Sequence, residues 1–178
     1  MKKTNQLEDE LNKIDNEDIQ KFTLKVLKKL PDYFWEKEFI NEFKELNGKD
    51  IKNDTIISHT KKVVAVLEEL LKLYNPNPVL KDILLSAALI HDGLLYGEDG
   101  KEYDEYHPIK LRKLIEENKL DLIISSPMYK GIMKAVEGHM GILSCNPAFE
   151  VKCGTPEYIF HEADYLASKK ERICKCKN

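Results

Sequence analysis

The chain has 178 residues, 42% hydrophobic and 33% charged, the balance of an ordinary globular protein long enough to bury a substantial core. A formal net charge of −3 excludes a global attraction to nucleic acid or to an anionic membrane, so any phosphate binding has to be built locally. The polar start, Met1 to Gln6, and the lack of any apolar run near the roughly 18 residues of a membrane span predict one cytoplasmic domain, residues 1–178, with no membrane partner.

The periodicity predicts helices throughout. Residues 16–30 form an amphipathic helix capped by Asn16, with Ile19, Phe22, Val26, Leu27 and Leu30 as its apolar stripe, and Pro31 ends it. Tyr33, Phe34 and Trp35 cluster as core aromatics, Phe39 to Leu46 suggest a short helix closed by Asn47 and Gly48, and Lys49 to Asn53 read as a turn. From Asp54 and Thr55 to Tyr74 a longer helix places Val63, Val64, Leu67, Leu70, Leu71 and Tyr74 on one face. His59 shares that face, four residues before Val63, either as a satisfied core histidine or as a ligand.

Asn77 caps and Pro78 opens the next helix, which is too apolar from Ile83 to Ile90 for a surface helix and ends in His91-Asp92-Gly93. Two readings stand there: a helix end with Gly93 as its left-handed cap, or two metal-ligand side chains at the core surface, where a buried carboxylate needs a cation. Leu94 to Tyr106, with Gly97, Gly100 and many charges, is expected to be a mobile loop. His107-Pro108 opens a helix to Glu117, His107 being either a cap or a side chain aimed into a cleft. Ser126-Pro127 starts another helix, ending in Gly138-His139-Met140-Gly141, where the glycines predict a close backbone approach. Thr155-Pro156-Glu157 starts the last helix, with Ile159, Phe160, Ala163 and Leu166 inward and Asp164 on the same arc as His161. Cys145, Cys153, Cys174 and Cys176 match no common zinc spacing and read as reduced thiols, and the basic end, Lys169, Lys170, Arg172, Lys175 and Lys177, reads as solvated.

Five histidines therefore fall in the order His59, His91-Asp92, His107, His139 and His161, with Asp164 after the last. That order resembles the HD-domain phosphohydrolase superfamily over roughly residues 55–170. Ser58-His59-Thr60 is similar to the helix opening of many members, although Thr55-Ile56-Ile57 replaces the usual glycines. His107-Pro108 is similar to the His-Pro of two-metal members, and Thr155-Pro156-Glu157 followed by His161-Glu162-Ala163-Asp164 looks like the terminal motif of small nuclease-type and phage-type members. The resemblance implies an all-α bundle with a metal site between helices, a core of about 55–170 and an N-terminal helical extension, 1–50.

It further implies that His59, His91, Asp92 and Asp164 hold one ion and that His107, His139 and a bridging Asp92 hold a second. Imidazole and carboxylate ligands suit Fe, Mn or Ni, with Zn or Mg as further options. A hydroxide bridging the ions would then attack phosphorus in a nucleotide, cyclic nucleotide or short oligonucleotide. Many members place a lysine three residues after the Asp; Leu95 stands there, so if a loop lysine serves the catalytic site, Lys101 is the remaining candidate. Lys62, Lys110 and Arg112 join it as candidates to hold substrate phosphates, against the alternative of solvated surface residues. The competing functions are a 3′→5′ exoribonuclease taking short single-stranded RNA, and a metal-binding regulatory module without turnover.

Overall fold

Local punctuation sets most helix boundaries in this chain, and tertiary packing then selects which faces are covered. The computed structural model describes residues 3–37, 55–141 and 151–169. The short helix expected at 39–46, the turn after it, Asp54, Cys145, Cys174, Cys176 and the basic end from Lys170 lie outside the described residues, whereas Cys153 is an exposed free thiol. A 3-10 segment, Lys3–Leu7, leads into α1 (Glu8–Leu11), α2 (Glu17–Leu27), α3 (Asp32–Glu36), α4 (Ile56–Tyr74), α5 (Pro78–Ile90), α6 (His107–Glu117), α7 (Ser126–Gly138) and α8 (Pro156–Ser168). Among the described residues the fold is all-α, without a strand, and no helix is long and apolar enough to cross a membrane.

Asn16 starts α2 by accepting from the backbone N–H groups of Asp18 and Ile19, Thr55 starts α4 by accepting from Ser58, and Asn77 starts α5 by accepting from Leu80. Each satisfies donors that the first helical turn leaves without a partner. Asn75 ends α4 in the left-handed region at φ 44°. The start of α8 differs from expectation, because the Thr155 hydroxyl donates to Lys152 O at 2.9 Å and caps nothing.

The central helix is α5, in contact with α2, α4, α7 and α8, and its residues from Leu84 to Ile90 are all buried. Leucine and isoleucine side chains buried this fully contribute about 2 kcal/mol each. Polar groups at this interface are matched: the Thr23 hydroxyl donates to Ile19 O and in turn accepts from Ser86, both at 2.7 Å. One apolar cluster runs from Leu7 to Ala163, so the N-terminal helices share the core with the histidine-bearing ones. Leu166 and Tyr74 depart from their predicted inward orientation and are 46% and 48% exposed, each near the end of its helix.

The segment after α5 departs further from expectation. Leu94, Leu95 and Tyr96 are buried, and hydrogen bonds tie the segment into successive turns. The Tyr33 hydroxyl donates to Gly97 O, and Lys37 Nζ donates to the carbonyls of Gly100 and Lys101 while lying 3.8 Å from the centre of the Tyr96 ring. Gly97 and Gly100 supply positive φ for these turns. Gly93 does not; its requirement is space, since a Cβ there would stand 2.7 Å from Leu30 Cδ2.

Candidate metal centre

Helix termini carry four of the six ligand-type side chains into one place. His91 and Asp92 follow α5, His107 is the first residue of α6 and His139 follows α7; His59 lies in the first turns of α4 and Asp164 in the last turns of α8. The close packing of α4 on α8 brings the last two together, with His59 Nε2 at 3.0 Å from Asp164 Oδ1.

The ligand atoms form two groups, His59, His91 and Asp164 in one and Asp92, His107 and His139 in the other, with the atoms of each group within 4.8 Å of one another. Asp92 belongs to both by geometry. Its Oδ2 is 3.5 Å from His59 Nε2 and 3.2 Å from His91 Nε2, while its Oδ1 is 3.4 Å from His107 Nε2 and 3.7 Å from His139 Nε2. The cluster is sealed: the other five side chains are at most 4% exposed, and Asp164 at 17% is the most open.

Three of the histidines are oriented in one way. Nδ1 of His91, His107 and His139 lies 2.9, 2.7 and 2.6 Å from the backbone carbonyls of Ala88, Asp104 and Val136, each three residues earlier. A carbonyl only accepts, so each Nδ1 carries a hydrogen and Nε2 is the ring atom turned to the cluster, the tautomer that a metal ion there requires. For His91 and His139 the acceptor is a carbonyl of the preceding helix's last turn, which has no partner further along the helix. His107 Nε2 and His139 Nε2 face each other at 3.3 Å, close enough for both to reach one cation. His91 Nε2 is buried without a hydrogen-bond partner. These atoms fit a metal ion, and the second shell of backbone acceptors is the kind that holds metal-ligating imidazoles in register.

Comparison of the chain with protein-family models, curated proteins and solved structures finds no match.

The electrostatics of the cluster call for positive charge. Burial alone would raise the carboxyls of Asp92 and Asp164, but the surrounding imidazoles reverse this and hold both well below the usual carboxylate range. Burial would likewise lower His91, yet Asp92 and Asp164 raise it well above an ordinary imidazole. His139 is pushed the other way, to about 4, by burial and by the neighbouring imidazoles of His91 and His107. Two buried carboxylates thus favour positive charge at His91, which a metal ion at its Nε2 would supply, and His139 keeps its Nε2 free of protons, the condition for binding a metal. Phe160, fully buried, closes one side with its ring edge-on to His91 at 5.5 Å.

The cations expected to meet substrate are placed differently. Lys101 is 78% exposed and pairs with Asp99 at 3.3 Å. Lys110 donates to Asp104, whose own carbonyl accepts from His107. Arg112 is committed to a two-pronged bond with Glu137, its NH2 reaching Oε2 at 2.7 Å. Lys62 is exposed on α4, one turn after His59. The partner of Arg112 lies 25 positions away, where sequence order gives no sign of it.

His161, left out of the ligand set, has a role in the structure. Its Nδ1 donates to the carbonyl of His139 at 2.6 Å, and a Cβ on Gly141 would come within 2.5 Å of its Cε1. The pair of glycines around His139 was the available signal: Gly141, at φ 58°, is where the backbone passes close beneath this ring.

Proposed function

We propose that the chain is a metal-dependent phosphohydrolase or phosphodiesterase of the HD-domain type, folded as one domain, that cleaves a phosphate ester of a nucleotide, cyclic nucleotide or short oligonucleotide. The observation that carries this reading is the division of Asp92, one oxygen toward His59 and His91 and the other toward His107 and His139. His59, His91, Asp164 and Asp92 Oδ2 would hold one transition-metal ion, Fe, Mn or Ni by donor chemistry, and His107, His139 and Asp92 Oδ1 a second. Bound ions supply Lewis-acid charge to a phosphate and lower the pKa of water.

The chain's own residues orient and insulate. The carbonyls of Ala88, Asp104 and Val136 fix three imidazoles in the ligating tautomer, and Phe160 keeps water from the back of His91 and His139. Lys110 and Arg112, both held by carboxylates, are support for the ligand helices rather than grips for phosphate. Substrate phosphate would instead be met at the metals, near Asp164, the most exposed ligand.

The test is a panel of mononucleotides, cyclic dinucleotides, dinucleoside polyphosphates and single-stranded RNA, assayed with metal-stripped protein and after Mn or Fe is restored. Metal-dependent release of phosphate or nucleotide from one small-molecule class is expected. Turnover confined to RNA would replace this reading with the exoribonuclease, and no turnover by protein that carries its metal would leave a regulatory metal-binding module.

A further inference from the structure

Glu137 is a buried carboxylate, 4% exposed, that no step of the proposed chemistry uses. It closes α7 just before Gly138 and His139, and it takes both prongs of the Arg112 guanidinium from α6, the helix that His107 opens. Arg112 is held further by Glu116, at 3.5 Å on its own helix, and lies over the Tyr129 ring, 5.7 Å from its centre; the Tyr129 hydroxyl donates to Glu116 at 3.0 Å. A guanidinium fork on a carboxylate fixes distance and angle together, which a lysine at the same place does not.

Two polar links join the helices whose ends present His107 and His139, the Tyr129–Glu116 hydrogen bond and this bridge, and the bridge is the one that reaches the end of α7 beside His139. Those two imidazoles have to stand at one spacing, 3.3 Å between Nε2 atoms, for both lone pairs to reach the same ion. His59 and Asp164 are set by a different contact, the packing of α4 on α8.

We infer that Arg112 and Glu137 are positioning residues for the second metal ion: their bridge sets the His107–His139 spacing and leaves the His59–His91–Asp164 half untouched. This rests on the two-ion reading given above. Loss of the fork should let α6 slide against the end of α7, so that the second triad opens while the first keeps its geometry.

The experiment titrates metal-stripped full-length protein with Mn(II), following free Mn(II) by electron paramagnetic resonance, for wild type, Arg112→Lys and the double variant Arg112→Met/Glu137→Met. The double variant removes the bridge without leaving a buried carboxylate unpaired, so it folds where a single deletion would not be safe. Two sites per wild-type chain are expected. In both variants the weaker site should lose roughly tenfold or more in affinity, the range for removing support behind a metal ligand, while the tighter site and the helical circular dichroism stay as in wild type. Two unchanged sites in the variants would overturn the inference alone, and so would equal weakening of both sites, which would mark the bridge as general support for the fold. A wild-type chain with fewer than two sites would overturn the two-ion reading and the inference with it.

Discussion

The two halves of the centre share Asp92 but are held by different means. His59 and Asp164 face each other because α4 and α8 pack along their length, an arrangement maintained by buried residues such as Val63, Leu67, Phe160 and Ala163. His107 and His139 project from helix ends and are held by the carbonyls of Asp104 and Val136 and by the Arg112–Glu137 bridge. His59 and Asp164 are therefore placed as robustly as the core, whereas His107 and His139 depend on a few directional bonds. A centre built this way should lose its second ion well before its first when conditions become harsher.

The largest effect is expected where the halves meet. Asp92→Asn keeps the shape of the side chain and removes the charge that serves both groups, so hydrolysis should fall below detection and both ions should bind more weakly. Steady-state assays together with elemental analysis measure this, and normal retention of either ion would show that Asp92 serves only one half. Breaking the packing half needs a core deletion: Phe160→Ala should destabilise the metal-free protein by about 4 kcal/mol through lost burial and an unfilled cavity, read from urea unfolding. A loss below about 1 kcal/mol would mean that the α4–α8 interface does not rest on this ring.

The directional half is sharpened by pH. His139 in the folded protein titrates near 4, below the roughly 6.5 of an unfolded histidine, so as pH falls from 6.5 toward 4 the unfolded chain takes a proton that the folded chain refuses. Stability from this group is complete above pH 6.5 and is lost across that window, about 3 kcal/mol in all. The metal-free His139→Ala variant should lack this part of the slope; identical slopes in variant and wild type would remove the buried neutral imidazole from the account. The smallest effect belongs to Lys101→Ala, since an exposed lysine paired with an exposed aspartate contributes little, and KM and kcat should both stay within about twofold of wild type. A larger rise in KM would return Lys101 to the role that the sequence suggested.

What the sequence made legible follows the range of the interactions. Asn16, Thr55 and Asn77 act on N–H groups two or three residues away, so their capping roles could be read directly. The six ligand-type residues were legible as an ordered set, and the structure brings all six together. The pairings of Arg112 with Glu137 and of Lys37 with the Gly100 carbonyl span 25 and 63 positions, and nothing local announces them. Leu94, Leu95 and Tyr96 depart from the expected loop because the charges that follow them suggest solvent, whereas Tyr33 of α3 and Lys37 just after it close over that segment. The partner of His161 is the backbone carbonyl of His139, marked in the sequence only by the glycines on either side of that residue.

The central claim is that one carboxylate, Asp92, faces two metal ions at once. Electron paramagnetic resonance of the full-length protein loaded with two equivalents of Mn(II) tests it most directly, because ions bridged by one carboxylate are magnetically coupled and ions in separate sites are not. The account predicts two ions bound per chain and a coupled spectrum that reverts to isolated-ion lines in His139→Ala. An isolated-ion spectrum from the wild-type chain, with one equivalent bound or with two, would contradict it.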